Sequence, residues 1–218
     1  MIIAIDGPSG SGKSTLGRML ARALNLLYID TGSMYRAVAL AVIEASLDPA
    51  DKEGVTELAQ RLEIDLEGDP ESLKVLLAGR DVSEAIRSDT VTEMSSIVST
   101  IPGVRRAMVA RQREMGKRGA VLNGRDIGTV VFPDADIKFF LTASPEERAE
   151  RRFQEDVVTN PRVTVAQTLA EMIERDRRDS TRADSPLKVA DDAIVVDSTG
   201  LSIDSTFDVM MSHVHRDR

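Results

Sequence analysis

The chain has 218 residues, a formal net charge of −8 and no cysteine. This length accommodates one α/β domain with appendages and leaves little room for two full domains. The acidic balance argues against a general affinity for nucleic acid or an anionic membrane, and the missing cysteines exclude disulfides and thiolate chemistry. No apolar run has the length of a bilayer span, and the N-terminus lacks the basic start of a signal peptide. We therefore expect a cytoplasmic protein, acting as a monomer.

The most specific motif is a phosphate-binding loop near the N-terminus. Residues 7–15 fit G-x-x-x-x-G-K-[ST], between a strand pattern at residues 1–5 and a helical stripe that starts at Leu16. The glycines let backbone N–H groups converge at the positive end of the helix, where phosphate oxygens bind. The lysine supplies charge to the outer phosphates, and the next hydroxyl suits Mg²⁺. The predicted nucleoside triphosphate site comprises Gly7, Pro8, Ser9, Gly10, Ser11, Gly12, Lys13, Ser14 and Thr15.

The other apolar runs predict an α/β fold of the P-loop NTPase type. A strand at residues 26–29 follows the first helix, and a strand–helix–strand unit of about thirty residues implies a right-handed crossover and a parallel sheet. Further strands and a closing helix are predicted at residues 120–122, 137–141 and 193–197 and from residue 202 onward. We therefore expect a five-stranded parallel sheet flanked by helices, in one domain of residues 1–218.

Two segments interrupt this alternation of strands and helices. In the first, Leu62, Ile64 and Leu66 alternate with charged residues, and a similar run at residues 73–77 follows a turn at Gly68. Such runs predict a small antiparallel hairpin. Helices are predicted around it at residues 34–45, 88–100 and 102–117. The expected sub-regions are a core (1–33, 101–144 and 183–218), an insertion (about 34–100) and a lid (about 145–182).

The second interruption is rich in arginine and has no lysine from Arg148 to Arg182. Ser144 and the Pro and Glu residues after it form a typical helix start, and a second helix is expected beyond Thr159-Asn160-Pro161. Exclusive arginine favours planar, bidentate recognition of phosphate, as in a lid that closes over a transferring phosphoryl group. The alternative is an ordinary salt-bridged helix surface, because two i,i+4 pairs are present. These pairs are Glu147/Arg151 and Glu171/Arg175.

Polar residues also follow two predicted strands, at the edge where parallel sheets bind their ligands. Asp30 and Thr31 follow the second strand, and Gly124-Arg125-Asp126 follow the third. A guanidinium there can hold phosphate, and a carboxylate can hold Mg²⁺ through water or accept a hydrogen bond from a base. The alternatives are a helix cap at Asp30 and an Arg125–Asp126 pair that braces a loop.

On three further motifs the chain resembles the bacterial cytidylate (CMP) kinases from end to end. They are Asp30-Thr31-Gly32-Ser33-Met34-Tyr35-Arg36, the run from Gly124-Arg125-Asp126 to Pro133-Asp134-Ala135, and Arg175-Asp176 with Asp179-Ser180-Thr181-Arg182. The phosphate loop alone does not distinguish this family, because guanylate, shikimate and gluconate kinases have similar loops. The predicted insertion also matches, since bacterial members have an enlarged monophosphate-binding region.

The resemblance implies transfer of the γ-phosphoryl group of ATP·Mg²⁺ to CMP, and to dCMP as a further acceptor. The implied catalytic residues are Lys13, Arg125, Asp126 and Arg182, and the lid residues implied at ATP are Arg151 and Arg152. The implied CMP site has Arg36, Arg125 and Arg182 at the phosphate, Ser96, Arg105 and Asp126 at the cytosine, Arg175 and Asp179 at the ribose, and Thr31 near the nucleotide. The implied Mg²⁺ ligands are Ser14 and, as a second candidate, Asp30.

Two positions depart from the family pattern. Asn123 stands where relatives usually carry Asp or Glu, which weakens the ordering of Mg²⁺-bound water unless Asp30 or Asp126 compensates. Arg80 replaces a usual acidic residue, a change expected to affect only the surface of the insertion. Two other functions stay open: a P-loop kinase with another acceptor, such as UMP or a small metabolite, and a nucleotide-dependent switch without phosphotransferase activity.

Overall fold

The computed structural model describes residues 1–157 and 161–216. The strands are β1 (Ile2–Asp6), β2 (Leu27–Asp30), β3 (Ile64–Glu67), β4 (Lys74–Leu77), β5 (Arg80–Asp81), β6 (Ala120–Gly124), β7 (Ile137–Thr142) and β8 (Ile194–Asp197). The helices are α1 (Lys13–Leu24), α2 (Thr31–Glu44), α3 (Lys52–Arg61), α4 (Asp89–Val98), α5 (Pro102–Gly116), α6 (Pro145–Asp156), α7 (Val165–Thr181) and α8 (Ile203–Arg216).

A five-stranded parallel sheet with the order β2-β6-β1-β7-β8 forms the centre of the molecule. Strand β1 lies in the middle, and Ile3, Ala4 and Ile5 are fully buried there, because helices cover both faces of a parallel sheet. The predicted five-stranded parallel sheet flanked by helices is thus confirmed.

The register of the sheet brings three strand ends to one edge. Asp6 at the end of β1 pairs with Gly124 of β6, and Asp30 at the end of β2 pairs with Asn123. The phosphate loop leaves β1 at this edge, and Arg125 and Asp126 leave β6 there. Residues 7, 31 and 125 are therefore neighbours in space although the chain separates them widely.

The predicted hairpin is also confirmed, with Ile64 opposite Leu77 and Leu66 opposite Val75. The short strand β5 extends it to three strands, and α3 precedes it; neither was predicted. Only two residues of α3, Val55 and Ala59, are buried, so its apolar stripe is too thin to indicate a helix. On the surface of the insertion, Arg80 donates to both carboxylate oxygens of Glu44 on α2, at 2.7 Å each.

Capping side chains decide where several helices begin. Helix α2 begins at Thr31, three residues before the predicted residue 34, because Asp30 caps it by accepting from the Ser33 N–H. Helix α6 begins as predicted, with Ser144 accepting from the Glu147 N–H. Helix α7 has a capping box of Thr164 and Gln167. Of the predicted break between these two helices, Thr159 and Asn160 lie outside the described residues.

Helix α1 lies close to β2 because Gly17 leaves space for the buried ring of Tyr28. A Cβ on Gly17 would lie 2.9 Å from Tyr28 Cε2, closer than van der Waals contact allows. The Tyr28 side chain is almost completely buried, so its ring has little freedom to move away.

We predict that Gly17→Val lowers the free energy of unfolding by about 2 kcal/mol, because the added methyl groups overpack this contact. The matched control is Ala23→Val at an exposed position of the same helix, which changes only helix propensity, by about 0.6 kcal/mol. The free energies of unfolding of both variants are measured by urea unfolding. An equal loss of stability in the two would contradict the packing argument.

Candidate functional site

The phosphate loop has the backbone geometry that its glycines allow. Gly7 has φ 150°, and a Cβ there would lie 2.0 Å from the Leu141 carbonyl oxygen, so only glycine fits. Gly12, at φ 90°, is the N-cap of α1 and provides no capping side chain. The first N–H groups of α1 are therefore available to an anion.

Lys13 is buried and folds back onto its own loop. Its Nζ donates to the Pro8 carbonyl oxygen at 2.5 Å and to Ser11 Oγ at 3.2 Å. Burial lowers the pKa of Lys13 well below its usual value, and repulsion from Arg125 and Arg175 lowers it further. An incoming anion would relieve this repulsion and favour the charged amine.

A cavity of about 550 Å³ opens beside the loop and gathers most of the predicted site residues. They come from the phosphate loop, from the ends of β2 and β6, and from α2, α5, α6 and α7. The predicted residues that line it are Ser9, Gly10, Gly12, Lys13, Ser14, Thr15, Asp30, Thr31, Arg36, Arg105, Arg125, Asp126, Arg151, Arg152, Arg175, Asp179 and Arg182. Gly7, Pro8 and Ser11 belong to the loop but do not line the cavity.

Ser96 does not line the cavity, although it was predicted at the cytosine. Its hydroxyl donates to the Thr92 carbonyl oxygen at 3.4 Å within α4. Ser95 and Ser99, one helical turn apart, line the cavity beside Arg105. Ser95 and Ser99 are thus the serines at this helix that line the cavity in this structure, and the role of Ser96 at the cytosine stays a prediction.

Arginines and aspartates alternate along one wall of the cavity. Arg125 Nε donates to Asp179 Oδ2 at 2.8 Å, and Arg182 lies 3.6 Å from Asp179 and 3.6 Å from Asp126. Arg105 donates from Nη2 to Asp126 Oδ2. Each carboxylate therefore holds two guanidinium groups, which offsets the repulsion between these cations.

The far end of this wall surrounds Arg105 completely. The guanidinium is 2 % exposed, lies 5.7 Å from the centre of the Tyr35 ring and donates to the Ser99 carbonyl oxygen at 3.3 Å. Asp184 Oδ1 lies 4.0 Å from its Nε. A planar donor fixed in this way can present hydrogen bonds to one edge of a ligand.

Arg175 differs from the other arginines of the wall because no carboxylate within the described residues lies within 4 Å of it. Burial lowers the pKa of Arg175 to about 10, with repulsion from Arg125 as the next cause. The predicted Glu171–Arg175 pair is not formed. An arginine held charged in this position has its donors available for a ligand.

Several polar atoms of the cavity residues are buried without a hydrogen-bond partner within the described chain. They are Arg36 Nε, Arg105 Nε, Arg182 Nη2 and Asn123 Oδ1. Buried donors and acceptors in folded proteins are almost always satisfied, and each unsatisfied one costs about 1–3 kcal/mol. Their concentration around one cavity indicates a site built for a polar, anionic ligand.

The residues around Ser14 provide oxygen ligands of the kind that Mg²⁺ prefers. Asn123 Nδ2 donates to Ser14 Oγ at 3.0 Å, which leaves Asn123 Oδ1 buried and unpaired. Thr31 Oγ1 donates to the Asn123 carbonyl oxygen at 2.7 Å. Asp30 caps α2, accepts from Ser33 Oγ at 2.7 Å and lies 3.4 Å from Arg36. Within the described residues, no group of three His, Cys, Asp or Glu side chains can hold a metal by itself.

The two predicted lid arginines of α6 line the cavity while they are held by other groups. Arg151 pairs with Glu147 at 2.5 Å, as the sequence predicted, and donates to the Ser198 carbonyl oxygen at 2.9 Å. Arg152 lies 2.8 Å from Asp156. In this structure both interpretations of the arginine-rich segment therefore apply to α6, since its arginines form salt bridges and also face the cavity.

Sequence reasoning missed some residues of the cavity wall. Besides Ser95 and Ser99, they include Gly32, Gln154, Glu155, Tyr35, Leu201 and Ile203. The last two follow β8 at the ligand edge of the sheet, so the strand-end rule that selected Arg125 could have found them. Ile203 lies beside the phosphate loop, with its Cδ1 3.9 Å from a Cβ placed on Gly12.

Asp6 is a further residue that the sequence did not single out. Its carboxylate accepts from the Ile127 N–H at 2.8 Å and from the Gly128 N–H at 2.7 Å. It thereby fixes the turn that follows Asp126 onto the strand that leads into the phosphate loop. The pKa of Asp6 is raised to about 6, mainly by burial; the two N–H groups lower it, the charge of Asp126 raises it and Lys13 lowers it.

We predict a pH dependence of stability from Asp6. The native state binds the proton of this carboxyl more tightly than the unfolded chain does, so the free energy of unfolding falls as pH rises from about 4 to about 6. The shift corresponds to at most about 3 kcal/mol. Asp6→Asn removes this component, so urea unfolding across that range is flatter in the variant. Parallel pH profiles for the two proteins would contradict the assignment.

Comparison with known proteins extends over nearly the whole chain. A family model described as cytidylate kinase matches residues 3–216. The cytidylate kinase of Solibacter usitatus is 52% identical over 206 residues, covering 93% of this chain and 87% of that protein. The cytidylate kinase of Citrifermentans bemidjiense is 47% identical over 215 residues, covering 98% of this chain and 92% of that protein.

A solved structure has the same overall fold at low sequence identity. An uncharacterized protein from Eubacterium ventriosum is 12% identical to this chain and superposes with a TM-score of 0.57 over 99% of this chain and 98% of the other. That likeness shows the fold alone. The family match and the identity of the two cytidylate kinases show more, and they confirm the predicted relationship: this chain belongs to the cytidylate kinase family.

Proposed function

We propose that this chain transfers the γ-phosphoryl group of ATP to CMP and to dCMP, giving ADP and the corresponding diphosphate. The observation that best supports this function is the wall of alternating arginines and aspartates directly beside a phosphate loop. The loop provides N–H groups and Lys13 for one polyanion, and Arg36, Arg125 and Arg182 provide charge for a second phosphate in the same cavity. A kinase requires two such phosphate sites next to each other.

The acceptor lies, in this proposal, between the wall and α4. Arg36, Arg125 and Arg182 hold its phosphate, and Arg175 and Asp179 hold its ribose. Arg105 and Asp126 read the cytosine, because a carboxylate accepts from the amino group and a guanidinium donates to the acceptors of the base edge. Ser95 and Ser99 line this end of the cavity, and the neighbouring Ser96 is the serine proposed at the cytosine.

The donor occupies the opposite end of the cavity. The loop N–H groups, Lys13 and Thr15 meet the ATP phosphates, and Arg151 and Arg152 approach from the lid. Leu201 and Ile203 present apolar surface beside Gly12, which suits the face of a purine. Residues 34–100 act as the monophosphate-binding insertion and residues 145–182 as the lid.

Mg²⁺ enters with ATP in this proposal, and it would supply charge neutralisation at the β- and γ-phosphates. Ser14 would be its first protein ligand. Asp30 would be the second candidate, although it is already engaged in a helix cap and with Arg36. Asn123 Oδ1 is oriented by the bond from its amide to Ser14 and can accept from a water beside the ion.

The chemistry needs positioning more than proton transfer. The acceptor phosphate is already an anion, so no strong general base is required for its attack in line on the γ-phosphorus. Lys13 releases its bonds to Pro8 and Ser11 and follows the transferring group, while Arg125 and Arg182 stabilise the charge that develops. Closure of the lid excludes water, which would otherwise compete as acceptor.

The test of this function is ADP release from ATP with Mg²⁺ when CMP, dCMP, UMP, AMP and GMP are offered singly. We expect CMP and dCMP to react at least about a hundredfold faster than the others, because a wrong base lacks the amino donor for Asp126 or the acceptors for Arg105. A faster reaction with UMP than with CMP would still agree with a kinase, but it would contradict the proposed roles of Arg105 and Asp126 at the base. ATP binding without acceptor-dependent ADP would instead favour a nucleotide-dependent switch.

Asn123 yields a second prediction, on the Mg²⁺ dependence. A carboxylate at this position adds one negative charge near the ion, worth about 1 kcal/mol in a partly solvated site. We expect Asn123→Asp to lower the Mg²⁺ concentration needed for half-maximal ATP binding and turnover by about fivefold. Asn25→Asp, at an exposed helix end, adds the same charge far from the site and serves as control. If the two variants needed the same Mg²⁺ concentration for half-maximal ATP binding and turnover, residue 123 would have no role at the ion.

Within the described residues, no helix is long and apolar enough to cross a membrane. The monomeric state and the cytoplasmic location stay predictions from the sequence.

A further inference from the structure

Both helices of the arginine-rich segment contact the phosphate loop through the backbone of one residue, Ser9. The Ser9 N–H donates to Asp176 Oδ1 of α7 at 3.0 Å, and the Ser9 carbonyl oxygen accepts from Arg148 Nη1 of α6 at 2.8 Å. Arg148 and Asp176 also join each other, with Nη1 2.6 Å from Oδ2. Two helices and the loop are thus closed into one ring of hydrogen bonds, which we call the Ser9 clamp.

The clamp is buried and closely packed. The Arg148 side chain is 8 % exposed and the Asp176 side chain 18 %, and Arg148 Nε donates to the Ala143 carbonyl oxygen at 3.1 Å. A Cβ on Gly10 would lie 2.7 Å from the Arg148 carbonyl oxygen and 2.8 Å from Met172 Cε. The second loop glycine, Gly10, therefore lets α6 and α7 approach the loop, in addition to shaping it.

The clamp residues lie next to the residues that face the cavity. Arg148 is one turn before Arg151 and Arg152 on α6, and Asp176 adjoins Arg175 on α7 and lies one turn before Asp179. Neither Arg148 nor Asp176 lines the cavity. The clamp therefore fixes the distance and angle between the loop and the side chains that meet nucleotides, without contacting a ligand itself.

We infer that Arg148 and Asp176 are positioning residues that couple the phosphate loop to the lid. A loop that moves on binding ATP phosphates moves Ser9, and the clamp transmits this movement to α6 and α7 together. The clamp differs from the surface pair of Arg177 and Glu174 on α7. That pair also lies 2.8 Å apart, but its side chains are 63 % and 50 % exposed. This inference rests on the proposed function, because ATP is taken as the ligand of the loop.

The kinetic test compares Arg148→Met, Asp176→Asn and the double variant with the wild type, using Glu174→Gln as the matched control on α7. We expect each clamp variant to raise the KM for ATP at least about tenfold and the double variant to match the single ones, because all break one ring. The control stays within about twofold. A merely structural role would lower kcat per total protein through unfolded enzyme and leave KM unchanged. Arg148→Lys, which keeps the charge, replaces the methionine variant if that variant does not fold.

A second measurement needs no catalysis. The amide exchange of Ser9, followed by NMR in nucleotide-free protein, should be at least about tenfold faster in Asp176→Asn than in the wild type and unchanged in Glu174→Gln. Unchanged exchange at Ser9, an unchanged KM for ATP, or additive effects in the double variant would each overturn the inference. If wild-type protein fails to phosphorylate any acceptor, the proposed function fails, while the exchange experiment still decides whether the clamp exists.

Discussion

The site depends on holding several guanidinium groups close together in a place that water hardly reaches. Arg105 and Arg182 are 2 % and 6 % exposed, and burial of like charges is strongly unfavourable unless carboxylates balance them. Asp126 and Asp179 provide this balance, each between two arginines. The balance is incomplete, since buried donors lack partners. A ligand with its own negative charge completes it, so the unliganded site is prepared for phosphate at the expense of stability.

The sheet determines where this cluster can form. Parallel strands end at one edge, so the residues after β1, β2 and β6 meet there without any long-range signal in their own sequences. Asp6 then adds a link across the edge, because its two oxygens fix the turn after Asp126 to the strand before the phosphate loop. Asp6 therefore links the strand before the phosphate loop to the β6 end of the arginine wall, and the lid helices attach to the loop at Ser9.

Local patterns were sufficient to predict most of the fold. Apolar runs, the alternation at Ile64 and Leu66, and the cap at Ser144 each depend on neighbours within a few residues, and the strands and helices that they predicted are present. Helix α3 was missed because charged residues dilute its apolar stripe. The strand order is not encoded locally, and α2 begins early because Asp30 acts as a cap as well as lining the cavity.

The site was predictable in residue type and less so in pairing. Motifs located Arg36, Arg125 and Arg182, but pairs that join different motifs, such as Arg125 with Asp179, depend on the fold. Helix α4 buries Val91, Ser95 and Val98, and this packing decides which of its serines line the cavity. Asp6 and Asp176 act on backbone N–H groups, a contact that leaves no pattern in the sequence.

The central claim is that the arginine wall is an incomplete charge cluster that a phosphate completes. The most direct measurement is calorimetric titration of the nucleotide-free protein with CMP and, separately, with cytidine, which has the same base and ribose but no phosphate. We expect CMP to bind at least about a hundredfold more tightly than cytidine, equivalent to about 3 kcal/mol from charge-assisted hydrogen bonds to the phosphate. Comparable affinities for CMP and cytidine would contradict it.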